Sequence, residues 1–534
     1  MTSYRCLTKF TTIEKWNIHG TSLGGLFVLE PWITPSLFYQ FLNQNNPDKI
    51  AIDTYTFCKV LGQNEGKRQL NEHFKNWVNE THIKSLSNKK VSHLRIPVGD
   101  WMFQSYGPYI GCTDDAYNYL TYIMDLCLQY NIKVLLDLHG VKDSQNGLDN
   151  SGQSSNIEFI VSPKNGNSDS SLTFTHWPIL SGNWIGKFNK NTNNYSSIHY
   201  DNIEFTKKVL YQIIDAYKEH KALYGIEPLN EPWIYTPIKE LKDFYYSIYK
   251  YMHNNAPHLK FIYHDSFRSN IWDNFLINCS NVAMDWHIYQ AWNIERYGDQ
   301  FLLEADNYGN YIQNFKNKGI QLIVGEYSLA TDNCAMWLNG FQDNIEGYPV
   351  CDCKYAPCPF PYINIKDMNR IQNIISPFGT GLSEPRMGTC PYEGLLIIDD
   401  DFNDFMRKLN LKKINSFEKG HGWFFWNFQT EFQEEIGWNF EQSYKKSYFK
   451  GSIIDPISFL NKTLPLWKYG ILLFVFLGLM FGLFGIYKYI YNYHQQYKKN
   501  KQYQYVKIEL PINEKQHINK KNIYDENYPY YQSL

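Results

Sequence analysis

The chain has 534 residues, 43% of them apolar and 17% aromatic, enough for one large domain of roughly 400 residues with appendages. Its formal charge of −2 leaves no broad basic surface, which excludes nucleic acid as a partner class. Ten cysteines fall in no metal-ligand spacing and no Gly-x-Gly-x-x-Gly turn follows the first strand, so neither metal nor cofactor is expected.

Short apolar runs bounded by turns predict eight strands, and helical periodicity separates most of them. In chain order the pattern predicts strands at Asn17–Gly25 and His93–Gly99, a helix at Asp114–Tyr130 and a strand at Lys133–Gly140. A polar insertion, Ser151–Asp201, follows, then a helix at Phe205–His220, a strand at Leu223–Leu229 and a helix at Ile238–Asn254. Strands at Lys260–Ser266 and Val282–Tyr289, a helix at Phe301–Lys318 and a strand at Gln321–Ser328 come next. A second insertion, Phe341–Asp400, precedes the last strand at Gly422–Phe428. Alternating strands and helices argue for parallel βαβ units, and eight of them over residues 1–450 predict a closed (β/α)8 TIM barrel. Both insertions then fall among the loops that line the barrel mouth. Cys351, Cys353, Cys358 and Cys390 lie in the second, which predicts a loop stapled by disulfides in an oxidising compartment.

Residues 451–466 read as a stalk. Between Lys468 and Lys488 lie nineteen residues without a charge, a helix of about 28 Å, the thickness of a bilayer core. Trp467, Tyr469, Tyr487, Tyr489 and Tyr491 flank it as interfacial aromatics, so residues 467–491 are expected to cross a lipid bilayer once. Lys488, Lys498, Lys499 and Lys501 favour a cytoplasmic tail, with the barrel extracellular or lumenal. Residues 492–534 are polar, biased to Asn, Lys and Tyr, and expected to be disordered.

Polar residues gather at the ends of these strands: Arg95, His139, Asn230, Glu231, His287, Tyr289, Glu326 and Trp426. One buried charge in a strand is ordinarily a paired core residue. So many converging on one barrel mouth would cost several kcal/mol each without a purpose, which points to chemistry. Glu231 and Glu326 end strands that face each other across the mouth, a placement suited to the two carboxylates of a retaining glycosidase. Glu231 is expected to act as protonated acid/base and Glu326 as ionised nucleophile, with Arg95 holding Glu326 charged.

The runs "GTSLGGLFVLEPWITPSLF", "RIPVG", "DLHGVKDSQNGLDNSG", "GIEPLNEP", "DWHIYQAW", "GEYSLATDNCAMWLNGF" and "GWFFWNFQTE" occur in series across Asn17–Phe440. Together they resemble the fungal-type exo-β-1,3-glucanases of glycoside hydrolase family 5. The resemblance implies metal-free hydrolysis of terminal β-1,3-linked glucose from β-glucans with retention. It implies that Glu231 is the acid/base and Glu326 the nucleophile. It also implies that Arg95, His139, Asn230, His287, Tyr289 and Trp426 line the −1 subsite, and that Glu30 and Asp149 bind the non-reducing glucose. Leu148 stands where the family usually has an aromatic paired with the one at Trp292, which removes one face of the +1 clamp. Two other readings follow: hydrolysis of other β-glucosides or glucosyl lipids, and an inactive glucan-binding membrane protein.

Overall fold

The computed structural model describes residues 4–9, 15–42, 44–154, 157–163, 170–175, 182–292, 298–331, 400–432 and 436–456, together with scattered positions between 335 and 364 and Lys488. Eight strands close a parallel barrel: β1 (Ile18–Ser22), β2 (His93–Gly99), β3 (Lys133–Gly140), β4 (Leu223–Glu227), β5 (Lys260–His264), β6 (Val282–Ile288), β7 (Leu322–Tyr327) and β8 (Gly422–Phe425). Each pairs with its sequence neighbours, and β1 meets β8 from Ile18 opposite Gly422 to Thr21 opposite Phe425. The strands read as nearly continuous apolar runs because a barrel strand is buried on both faces. Ile18, Leu135, Ile262, Ala283, Ile323 and Phe424, from six strands, fill the interior below the mouth, with Trp16 and Tyr224 packed against them.

The surrounding helices are α1 (Thr54–Trp77), α2 (Glu80–Asn88), α3 (Ala116–Gln129), α4 (Tyr200–Tyr217), α5 (Ile238–Asn255), α6 (Gly298–Asn317), α7 (Asp400–Phe417) and α8 (Phe440–Lys445). Two helices fill the first crossover, whereas between β5 and β6 the described chain forms a single turn, Ser269–Trp272. At the start of α1 a reciprocal cap joins Asp53 and Thr56. The second oxygen of Asp53 accepts from Ser154 N and Oγ at 2.7 Å, and Tyr55 N donates to Gly152 O. Leu29 N donates to Thr54 Oγ1 at 2.9 Å. The loops carrying Glu30 and Asp149 are thus tied to one helix terminus.

β7 contains one extra residue. Asp285 pairs with Ile323 but His287 with Glu326, and on the other side Val324 pairs with Trp423 but Tyr327 with Phe425. Strict alternation from the inward-facing Ile323 would turn Gly325 inward and Glu326 outward. The bulge re-phases the strand and brings Glu326 to the mouth.

Within the first insertion, Gly186–Asn189 and Asn194–Ile198 form an antiparallel hairpin, as do Glu158–Pro163 and Ser170–Thr175. Disulfides join Cys6 to Cys279 and Cys58 to Cys112, pairs not foreseen from spacing. The expected staple among Cys351, Cys353, Cys358 and Cys390 lies outside the described side chains. Among the described residues no helix is long and apolar enough to cross a membrane. The span expected at 467–491, of which Lys488 alone is described, and the tail at 492–534 fall outside them.

Candidate active site

Arg95, on β2, is completely buried at the centre of the mouth. Its Nε donates to Glu227 Oε2 at 2.8 Å, its Nη1 to Glu326 Oε1 at 2.7 Å and its Nη2 to Asn230 Oδ1 at 2.8 Å, with Asp137 Oδ2 3.1 Å away. A guanidinium presents five donors in a rigid plane spread over three nitrogens, whereas a lysine ammonium offers three from a single point. Glu326 also receives the Tyr289 hydroxyl on Oε2 at 2.5 Å. Burial pushes the Tyr289 phenol far above its ordinary range, so it remains a donor.

Asn230 and Glu231 lie on the loop after β4 rather than in the strand, and Glu231 has a left-handed φ of 42°. Asn230 N bonds Leu138 O at 3.0 Å, and Gln145 Nε2 bridges the carbonyls of His139 and Asn230, which pins the turn. Glu231 Oε1 takes His287 Nδ1 at 2.7 Å, and Asn150 Nδ2 donates to its Oε2 at 3.3 Å. The same His287 nitrogen lies 3.4 Å from Glu326 Oε2. Both glutamates therefore meet at one imidazole, and their nearest oxygens are no farther apart than about 6 Å, the sum of the two distances.

Burial penalises both carboxylates, but His287 pulls Glu231 below its ordinary value, while Glu326 stays raised despite His287 and Arg95. His287 itself is raised well above the usual imidazole range: burial opposes its charge, but Glu326, Asp285 and Glu231 outweigh that. The proton shared by the pair thus rests on His287, hydrogen-bonded to Glu231.

The remaining expected residues converge on this centre. His139 Nδ1 bonds Asp137 Oδ2 at 2.6 Å, and its ring stacks on Trp426 at 5.5 Å between centroids. Glu30 Oε2 accepts from Trp32 Nε1 at 2.9 Å, while its buried Oε1 finds no partner among the described residues. Burial and the Asp149 charge raise Glu30 well above the carboxylate range. Asp149 is pushed up to about 7 by burial and by Asp53. Trp292, half-buried, sets its edge against Tyr289 and Trp438. Leu148 is half-buried on the loop just before Asp149.

Several site residues escaped the sequence reading. Asp137 and Asp285 stand two positions before His139 and His287, so strand alternation places each pair on one inward face. That periodicity was the available signal. Glu227, His264, Trp32 and Trp438 carried none. Two triads, Glu231 with His264 and His287, and Glu227 with Asp285 and His287, bring ligand atoms within 4.8 Å of one another. They do not fit a metal ion. Ser266 N donates to His264 Nδ1, which leaves the proton on Nε2, and His287 Nδ1 is committed to Glu231.

A family model described as Cellulase (glycosyl hydrolase family 5) matches residues 59–345. The glucan 1,3-beta-glucosidase of Schwanniomyces occidentalis is 29% identical over 84% of this chain and 89% of its own length. Glucan 1,3-beta-glucosidase 2 of Wickerhamomyces anomalus is 30% identical over 83% of this chain and 88% of its own. Rutinosidase from Aspergillus niger shares the fold, with a TM-score of 0.52 at 14% identity over 82% of this chain and all of its own. With paired glutamates at the mouth of a closed parallel barrel, and relatives of one activity covering most of its length, the chain belongs to glycosyl hydrolase family 5 and is a glycosidase.

Proposed function

We propose that this glycosidase removes terminal β-1,3-linked glucose from β-glucans with retention of configuration. The carrying observation is the meeting of Glu231 and Glu326 at His287, with Arg95 and Tyr289 committed to Glu326. An oxygen separation bounded near 6 Å supports direct attack by Glu326, since an inverting pair stands ~6.5–9.5 Å apart to admit a water. Glu326 attacks the anomeric carbon as the glycosidic C–O bond breaks, and Glu231 protonates the departing oxygen. Glu231 then takes a proton from water, which cleaves the glucosyl ester and frees Glu326.

Exo action is supported by Glu30 and Asp149. Electrostatic coupling of Glu30 to Glu231 and Glu326 sets its carboxylate beside the reacting centre, with one oxygen open to a sugar hydroxyl. The β-1,3 linkage rests on the names of the two yeast relatives. Leu148 favours a second reading, hydrolysis of other β-glucosides or glucosyl lipids, because it offers no flat face to the next glucose. The third reading, an inactive glucan-binding protein, is opposed by retention of both glutamates in a complete hydrogen-bonded frame.

The same proposal places the barrel on the extracellular or lumenal side of a membrane, anchored by residues 467–491 with residues 492–534 cytoplasmic. The disulfides Cys6–Cys279 and Cys58–Cys112 support an oxidising side. NMR of the first product from laminarin should show β-glucose; α-glucose would overturn retention. Release of glucose from glucosyl lipids but not from laminarin would select the second reading.

A further inference from the structure

Asp285 is fully buried on β6 beneath the pocket. Its Oδ1 accepts Gly325 N–H, the amide of the β7 bulge, at 2.6 Å. Its Oδ2 lies 3.4 Å from His287 Nε2. His287 then reaches Glu231 through Nδ1 at 2.7 Å, so an imidazole bridges two carboxylates. One oxygen of Asp285 holds the backbone immediately before the nucleophile, and the other faces the imidazole that holds the acid.

Other groups face the same imidazole. From the end of β4 comes Glu227, raised well above its ordinary value by burial, and from the loop after it comes Glu231. From β5, His264 sets its ring edge-on to His287 at 4.3 Å between centroids, and burial holds it neutral. The neighbouring Asp265 is pushed up to about 7 by burial. From β7 comes Glu326, neutralised by Arg95 of β2. Asp285 is therefore the anion left to balance a proton shared between His287 and Glu231.

We propose that Asp285 is a positioning residue that retains the acid's proton on the His287–Glu231 pair until the glycosidic oxygen arrives. It never touches the sugar. The proposal rests on Glu231 being the acid, and its test separates the two claims.

In Asp285→Asn the amide oxygen keeps the Gly325 bond, but the amide nitrogen meets His287 Nε2 as a donor, so no proton can sit there. Without the negative charge the pair releases its proton more readily. The basic limb of the kcat/KM profile should therefore move down by about one pH unit. Phenyl β-glucoside, whose leaving group needs protonation, should lose about tenfold to a hundredfold. Dinitrophenyl β-glucoside, whose leaving group does not, should lose less than about threefold. Equal losses on both substrates, or an unmoved limb, would overturn the proposal and reduce Asp285 to a bulge support.

Glu231→Ala serves as reference. If it discriminates between the substrates and Asp285→Asn does not, the acid assignment stands and the proposal falls. If Glu231→Ala does not discriminate, both fall. Asp285→Glu keeps the charge and should leave the limb in place. It decides the matter if the amide variant does not fold, because a displaced limb there overturns the proposal.

Discussion

Replacement of Arg95 by lysine is the sharpest perturbation of Glu326, the proposed nucleophile. The guanidinium makes charged hydrogen bonds to Glu227, Glu326 and Asn230 and lies beside Asp137, all with no exposure of its own. A lysine ammonium keeps the charge but not the fork, and forfeits at least two of these contacts at ~1.5–3 kcal/mol each. Part returns as the ammonium finds one carboxylate, which leaves a net loss of about 3 kcal/mol in equilibrium urea unfolding. Glu326, already raised by burial, loses the donor on Oε1 and rises further. The acidic limb of kcat/KM, which reports ionisation of the nucleophile in the free enzyme, should then move up by about 1–2 pH units on an aryl β-glucoside. An Arg95→Lys variant with wild-type stability and an unmoved acidic limb would show that Arg95 does not hold the nucleophile.

Glu326→Gln should lower hydrolysis at least about a thousandfold while glucose binding by calorimetry stays within about threefold; residual turnover near wild type would remove Glu326 from its role. Gly325→Ala should cost about 1–3 kcal/mol in the same urea assay, because the added Cβ would lie 1.9 Å from Asp285 Oδ2; an unchanged midpoint would contradict the close approach. Asp100 and Asp265 are pushed up to about 7 by burial, so the folded state holds their protons more tightly than the unfolded chain. Their contribution is complete below the unfolded value near ~4 and is lost as pH rises through 7. His93 and His421, lowered by burial to about 3, act oppositely, and only below 6.5. Between pH 6.5 and 8 only buried Lys413, lowered to about 7, works against the two carboxyls, and one group does not outweigh two, so the urea midpoint should be higher at pH 6.5 than at pH 8; the reverse order would refute the assignment.

All eight strands were legible, because a strand buried on both faces leaves an apolar run that no exposed segment imitates. α1 was not, since Gly62 breaks it with a φ of 70° and its exposed face is long and polar. The gathering of Arg95, His139, Asn230, Glu231, His287, Tyr289, Glu326 and Trp426 was legible because strand tips in a barrel converge, so a one-dimensional list became a ring. The layer beneath them was not. Asp137, Glu227 and Asp285 looked like any buried charges, and their purpose shows only where Arg95 and His287 gather them. Disulfide partners 273 and 54 residues apart follow tertiary proximity, which spacing does not encode. Nor does a motif say where a proton rests: that depends on the distances from His287 to three carboxylates.

The bulge in β7 separates having a catalytic motif from using it. Straighten β7 with every residue kept and the chain would still spell Gly-Glu-Tyr, yet strict alternation would aim the carboxylate at the outer helices. A search by letters would pass that protein as intact. Its phase error would show only as a glycosidase with no nucleophile, a failure of counting rather than of chemistry.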